Sequence, residues 1–198
     1  MTFVRVTPEE QAAGAVEDMY GAARAQYGYV PNMVKAFSHR PEVFAAWRAL
    51  NGAVKESMDP RRYELATIAA AGRLRSSYCM LAHGTVLVEQ QLLGAETLRD
   101  AVVDRAASGL EPVDLAVMAF AEKVVDDATS IDEADVEQLR AHGLSDADVL
   151  DVVLAAAVRC FFSKTLDALG VDPDSAYSGL EPVELRDALT VGRPIASA

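Results

Sequence analysis

The chain has 198 residues, a formal net charge of −12 at pH 7, and 51% hydrophobic residues with few aromatics. This charge argues against a nucleic-acid backbone or an anionic membrane surface as partner, and no apolar run approaches the roughly 20 residues of a membrane span. Two cysteines cannot build a disulfide framework, and no charged-then-apolar leader opens the chain. We therefore expect a cytoplasmic protein forming a single domain over residues 1–198.

Helix-start and helix-stop signals recur along the chain, whereas period-two alternation typical of strands is absent. The sequence therefore predicts an all-α bundle of about eight helices. Two capped apolar helices each carry an acidic residue one turn after their start, Glu64 in one and Asp151 in the other, which suggests that the bundle consists of two similar helical halves. The tail after Val191 is expected to be loose. In chain order the predicted helical segments, some of them short, are 7–27, 33–38, 41–58, 60–71, 77–93, 95–108, 111–127, 132–141, 149–169 and a last one opened by Glu181-Pro182.

One predicted helix is apolar on nearly every side. Asp59-Pro60 supplies a cap and a first-turn proline, and the following segment, 63–71, contains Glu64 as its only charged residue. Such a helix should be buried almost all round, so that Glu64 needs a partner to offset the loss of hydration. Arg73 and Arg75 are candidate partners.

The next helix is predicted to begin at Ser76 or Ser77 and carries the clearest chemical signal. Cys79 lies in its first turn, where unpaired backbone N–H groups and the helix dipole favour an anion such as a thiolate. His83 follows four residues later and therefore shares a helix face with Cys79.

Glu64 can reach this face only if the chain reverses. An uninterrupted helix would separate Glu64 from Cys79 by more than about 20 Å. A break at Gly72 and the serine pair would instead give two antiparallel helices. We expect a carboxylate, a thiol and an imidazole to face one another across this helix hairpin.

These residues resemble a known signature. Glu64, position 76, Cys79 and His83 have the spacing of the Glu…Cys-x-x-Cys-x-x-x-His motif of AhpD-like alkyl hydroperoxidases, which belong to the carboxymuconolactone decarboxylase superfamily. Pro31-Asn32 followed by Pro41 resembles the Pro-Asn and Pro residues found in the peroxidase-related branch of this superfamily. The resemblance covers about residues 25–170 and leaves a C-terminal helix and tail at 171–198.

The resemblance implies an all-helical fold, a homo-oligomer and a thiol-based peroxidase cycle. We expect no cofactor and no metal, since neither His39 nor His142 has metal-ligand spacing to another His, Cys or acid cluster. The resemblance makes Cys79 the peroxide-reactive thiol, with Glu64 and His83 as its proton relay. The resolving cysteine of the family falls on Ser76, and a hydroxyl cannot form a disulfide. Ser76 is then most simply an N-cap.

Three functional interpretations remain open at this stage. Cys79 reduces a small or alkyl hydroperoxide, and an external thiol or redox protein regenerates it. Alternatively, Glu64 and His83 perform acid–base chemistry on a small acid, as in the decarboxylase branch. In the third interpretation the site is vestigial and the protein is an oligomeric scaffold.

Two further residues have a structural and a functional interpretation. Tyr78 either fills the rim of the pocket or donates to a substrate oxygen, and the rim is favoured. Cys160 lies in the near-continuous apolar run 152–162 and is expected to be buried and inert. It could resolve the oxidised Cys79 only if the two Cα atoms lie within about 7 Å.

Overall fold

The computed structural model describes residues 2–197, which form ten α-helices and no strand. The predicted all-α fold is therefore confirmed, and the ten α-helices equal the ten predicted segments in number rather than the estimate of about eight helices. No helix in this part of the chain combines the length and the hydropathy needed to cross a membrane. The helices are α1 (Ala15–Tyr27), α2 (Asn32–Lys35), α3 (Pro41–Ser57), α4 (Pro60–Arg73), α5 (Ser77–Glu89), α6 (Ala95–Val103), α7 (Pro112–Asp127), α8 (Glu133–Ala141), α9 (Asp146–Ala168) and α10 (Val183–Leu189).

Helix α4 is the centre of the bundle, because it packs against α5, α7 and α9. Its start follows the prediction: the Asp59 side chain accepts a hydrogen bond from the backbone N–H of Arg62 (3.0 Å), and Pro60 occupies the first helical position. Every residue from Tyr63 to Ala71 is buried. The absence of a polar face thus places α4 in the core, with Glu64 inside it.

The chain reverses between α4 and α5, as predicted, but a different residue makes the turn. Arg75 adopts a left-handed backbone conformation (φ 56°), and Ser76 N–H donates to Ala71 O (3.0 Å). Gly72, the predicted break, lies inside α4, where a Cβ would make only ordinary van der Waals contact with Met80.

Several helix boundaries differ from the predicted ones. Helix α1 begins at Ala15 rather than near Thr7, because Gly14 adopts a positive φ of 56° and separates α1 from a short 3-10 turn. Helix α5 ends at Glu89 rather than Leu93, and α6 ends at Val103 rather than Ser108. The predicted capping box at Ser145 is present and begins α9.

The segment after α10 is not loose, contrary to expectation. Gly192 N–H donates to Ser77 Oγ (2.7 Å), and Ala196 N–H donates to Pro173 O (2.8 Å). A Cβ on Gly192 would lie 2.0 Å from Arg75 O, so only glycine permits this approach. The segment 190–197, called here the C-terminal strap, therefore closes over the turn between α4 and α5.

Candidate active site

Glu64 and His83 meet across the α4–α5 hairpin, as the sequence predicts. His83 Nδ1 is hydrogen-bonded to Glu64 Oε2, and Lys55 Nζ on α3 donates to the other carboxylate oxygen at 2.8 Å. Neither Arg73 nor Arg75 is the partner of Glu64, because Arg73 pairs with Asp126. We call Glu64 and His83 the acid–base pair.

The protonation states of this pair follow from its surroundings. Burial opposes the charge on Glu64, but His83 and Lys55 outweigh burial and lower the pKa of Glu64 from 4.5 to about 2. Burial and the nearby Arg159 cation lower the pKa of His83, although Glu64 acts in the opposite direction. At neutral pH Glu64 is therefore a carboxylate, and His83 is a neutral ring whose Nδ1–H donates to it. His83 Nε2 is left able to accept a proton.

Cys79 lies in the first turn of α5, as predicted, and is 1% exposed. Its sulfur is not hydrogen-bonded to His83 or Glu64. Instead, two donors from α9 reach it: Arg159 Nη1 at 3.4 Å and Ser163 Oγ at 3.1 Å. Arg159 and Ser163 are four residues apart and thus share one face of α9. We call Cys79, Arg159 and Ser163 the thiol site.

Arg159 was not predicted from the sequence, although it connects the two halves of the site. Its charge acts on Cys79, on Glu64 and on His83. The only sequence signal was a cation inside the apolar run 152–162, a pattern as unusual as the one that identified Glu64. The partner thiol lies 80 residues earlier in the chain, so spacing could not associate the two.

An aromatic cluster borders the thiol site. The rings of Trp47 and Phe162 stack with centroids 3.8 Å apart, and the rings of Phe37 and Phe162 stack with centroids 5.8 Å apart. The guanidinium of Arg159 lies over Phe162, 5.8 Å from the ring centroid. Because these groups exclude water, the charge of Arg159 acts on Cys79 with little screening.

The most exposed part of the site is formed by Lys55 and by His83 of the acid–base pair. The side chain of Lys55 is 41% exposed and His83 is partly buried, whereas Cys79 is enclosed. A separate cavity of about 170 Å³ lies between α4, α5, α6 and α7, but Glu64, Cys79 and His83 do not line it. Within residues 2–197, no three His, Cys, Asp or Glu side chains cluster in a way that could hold a metal ion.

Of the two accessory residues, Ser76 occupies the predicted N-cap position, whereas Tyr78 does not lie where expected. Ser76 is the N-cap residue of α5, but its buried hydroxyl makes no capping hydrogen bond and has no partner of good geometry. The Ser76 hydroxyl acts on the carboxyl group of Asp167 and partly offsets the burial that raises the pKa of that carboxyl group. Tyr78 is fully buried, and its hydroxyl binds Asp174 and accepts from Met33 N–H at 3.2 Å. The predicted placement of Tyr78 at a pocket rim is wrong, because the ring anchors α5 to the loop after α9.

Cys160 is a free thiol and is only partly buried, rather than enclosed as expected. Burial raises its pKa despite the nearby Lys164 and Arg159 cations. On α9 it lies about 100° from Arg159 and about 60° from Ser163, so it occupies a different stripe from the residues that face Cys79. The helix therefore presents Arg159 and Ser163, not Cys160, to the reactive thiol.

Comparison with solved structures shows the same fold in other proteins. A peroxidase-related protein from Ralstonia eutropha JMP134, described as an alkylhydroperoxidase AhpD core, is 23% identical, with a TM-score of 0.80 over 89% of this chain and 94% of that chain. A peroxidase-related protein from Silicibacter sp. TM1040 is 23% identical, with a TM-score of 0.74 over 89% and 91%.

A third structure has the same fold and a different described activity. A cysteine-to-alanine variant of the debrominase Bmp8, bound to 2,3,4-tribromopyrrole, is 12% identical, with a TM-score of 0.74 over 95% of this chain and 100% of that chain. No curated protein sequence matches the chain. Residues 41–123 match the carboxymuconolactone decarboxylase family, and this segment carries Glu64, Cys79 and His83. The segment 41–123 is therefore similar to the carboxymuconolactone decarboxylase family, and the chain has the AhpD-like fold.

Proposed function

We propose that the protein is a thiol-dependent hydroperoxidase in which Cys79 is the nucleophile. The observation that carries this proposal is the pair of donors on the Cys79 sulfur, one from a buried guanidinium and one from a hydroxyl. Donors of this kind stabilise an anion more than a neutral acceptor. They therefore favour the thiolate, which is the reactive form of cysteine.

The surroundings of Arg159 support the same conclusion. Arg159 is a buried cation, and its hydrogen-bond partner is the Cys79 sulfur. A buried cation is stabilised by an anion placed beside it.

The reaction then divides between the thiol site and the acid–base pair. The Cys79 thiol gives its proton to a base, for which His83 Nε2, oriented through the bond to Glu64, is the candidate. The thiolate attacks one peroxide oxygen, the O–O bond breaks, and the products are a sulfenic acid on Cys79 and an alkoxide. The alkoxide takes up the proton and leaves as an alcohol.

The second half of the cycle needs an external thiol, because Ser76 cannot resolve the sulfenic acid. One thiol condenses with the sulfenic acid, releasing water and forming a mixed disulfide. A second thiol then releases Cys79 and leaves as a disulfide with the first. The enclosure of Cys79 requires a small reductant or an opening of the site.

A second candidate function is acid–base catalysis of the decarboxylase type on a small acid. The observation that favours it is the buried pair of Glu64 and His83, whose pKa values keep a carboxylate beside a neutral imidazole. Such a pair suits proton transfer to and from carbon. Cys79 would then be dispensable.

The two functions are separated by trapping the sulfenic acid. Protein carrying Cys160→Ser is treated with an alkyl hydroperoxide and a dimedone-type probe, and the adduct is measured by mass spectrometry. Labelling that disappears in Cys79→Ser, together with turnover on addition of a small thiol, supports the peroxidase.

The absence of labelling in the parent protein contradicts the peroxidase proposal. Activity on a lactone or keto acid that survives Cys79→Ser and is lost in His83→Ala supports the acid–base function. If neither activity is found, and 2,3,4-tribromopyrrole incubated with the protein also remains unchanged, the scaffold interpretation stands.

A further inference from the structure

The cavity of about 170 Å³ between α4, α5, α6 and α7 lies apart from the thiol site and has no role in the reaction proposed above. Much of its wall consists of the small residues Ala69, Gly72 and Ala101, together with the side chains of Met80 and Met118. Protein interiors are close-packed and seldom leave a space larger than a water molecule. The small residues keep this space open, because larger side chains at the same positions would extend into it.

The cavity has one polar end, and this end carries no free charge. Arg105 donates to the two carboxylate oxygens of Glu122, at 2.8 Å and 2.6 Å. The two side chains line the cavity and are 29% and 26% exposed, so the ion pair lies where the cavity approaches solvent. Because Arg105 and Glu122 already balance each other, a charged ligand would lose its hydration here without gaining a counter-ion.

We propose that this cavity binds an uncharged aromatic molecule of the size of a single ring. An apolar protein cavity of about 150 Å³ binds benzene, and the present cavity is slightly larger. Met80 lines it from α5 and Met118 from α7, and the thioether sulfur of methionine makes favourable contacts with aromatic rings. The site is separate from Cys79 and does not depend on the chemistry of that thiol.

The experiment uses the full chain, isotope-labelled at the methionine methyl carbons, and benzene as the probe. The NMR signals of Met80 and Met118, assigned through Met80→Leu and Met118→Leu, should move on addition of benzene, because an aromatic ring shifts the signals of nearby nuclei. The shifts should saturate with a Kd of about 1 mM or tighter, the range expected for burying about six CH groups. Met58 is the internal control, because it lines a cavity of only about 40 Å³, which is too small for a ring.

Two further comparisons test where benzene binds and which charge the site accepts. Ala101→Leu on α6 extends a larger side chain into the cavity and should weaken benzene binding about tenfold or more. Val103→Leu is the matched control, because Val103 lies on the same helix and is 69% exposed, and it should leave binding unchanged. Benzoate carries a charge on the same ring and should bind about tenfold or more weakly than benzene.

Signals of Met80 and Met118 that stay in place, or that move no more than the signal of Met58, would overturn the inference. Unchanged benzene binding in Ala101→Leu would do the same, and benzoate that binds as tightly as benzene would overturn the assignment of an uncharged ligand. If Ala101→Leu fails to fold, the wild-type signals decide, since saturable movement of Met80 and Met118 alone supports the site. None of these measurements involves Cys79, so the peroxidase proposal is tested separately.

Discussion

Glu64 holds a negative charge near the middle of an apolar bundle because two groups from different helices balance it. Lys55 reaches it from α3 and His83 from α5, each through one carboxylate oxygen. Each partner satisfies lone pairs that burial would otherwise leave without water. The same arrangement fixes the hydrogen of His83 on Nδ1, and so leaves His83 Nε2 able to act as a base.

This arrangement predicts that the protein loses stability in acid. The pKa of Glu64 is lowered in the folded state, so its contribution is complete above pH 4.5 and is lost as the pH falls towards 2. The lowered pKa of His83 acts with the same sign, because the unfolded chain takes up a proton below about pH 6.5 and the folded chain resists it. Urea unfolding followed by circular dichroism between pH 7 and pH 3 should show the free energy of unfolding falling.

Glu64→Gln tests the origin of this acid sensitivity. The variant should lose about 2 kcal/mol at pH 7, because His83 and Lys55 lose a charged acceptor. It should then lose less further stability than the wild type between pH 4.5 and pH 3, since no carboxylate remains to be protonated. Parallel pH curves for the two proteins would contradict the assignment.

Ser76 offers a second test at the level of one residue. Its hydroxyl makes no hydrogen bond of good geometry, so replacing it removes little. In Ser76→Cys the two sulfurs would be three residues apart at the start of α5, a separation compatible with a disulfide. Hydroperoxide treatment should then give a protein 2 Da lighter with no sulfenic acid to trap. Persistent dimedone labelling of Ser76→Cys would show that this position cannot resolve Cys79.

At the level of elements, the catalytic side chains come from the adjacent helices α4 and α5 and from α9, which lies much later in the chain. The α4–α5 hairpin contributes Glu64, Cys79 and His83, and α9 contributes Arg159 and Ser163 on one face. Helix α4 touches both neighbours because it is apolar all round. The C-terminal strap then covers the turn of the hairpin.

The strap predicts a large effect for a small substitution. In Gly192→Ala the new methyl carbon would lie 2.0 Å from Arg75 O, a backbone atom that cannot move aside cheaply. The strap should therefore be displaced, which lowers the free energy of unfolding by about 2 kcal/mol through lost packing and hydrogen bonds. In a Cys160→Ser background, Cys79 should also react faster with a disulfide reagent.

Gly94→Ala is the matched control, because a Cβ there meets nothing within 4 Å and the backbone is extended. Gly94→Ala should leave both the free energy of unfolding and the rate at which Cys79 reacts with the disulfide reagent near their wild-type values. If Gly192→Ala behaves like this control, the strap does not hold the hairpin turn closed.

At the scale of the whole molecule, α3 and α9 expose apolar stripes although they pack against each other. Val43 and Leu50 lie two turns apart on α3, and Leu150 and Phe161 lie three turns apart on α9, so each pair shares a helix face. Their exposed fractions are 38%, 52%, 56% and 45%. Apolar stripes of this kind are commonly covered by another protein surface.

We expect these stripes to form the contact of a homo-oligomer. Leu50→Glu and Leu150→Glu should each lower the molar mass measured by light scattering after gel filtration, because a charge is costly in an apolar interface. Glu137→Gln, at an exposed residue of α8, serves as the control and should keep the parent mass. A monomeric parent protein, or unchanged masses in both variants, would contradict the prediction.

The amino-acid sequence by itself determined the features that depend on neighbours in the chain. Asp59-Pro60 and Ser145 mark helix starts because caps act within one turn. The apolar run around Glu64 predicts a central helix, and four-residue spacing places Cys79 and His83 on one face. The meeting of Glu64 and His83 was predictable as well, because only a short turn separates their helices.

Tertiary structure alone decided what long-range packing brings together. Arg159 meets Cys79 from 80 residues away, and nothing in local spacing indicates which face of α9 turns towards α5. Lys55 displaces the predicted arginines at Glu64 because α3 lies nearer than the hairpin turn. The strap is held by the hydroxyl of Ser77, which lies 115 residues earlier in the chain than Gly192. These contacts arise from the shape of the folded core, which no segment contains on its own.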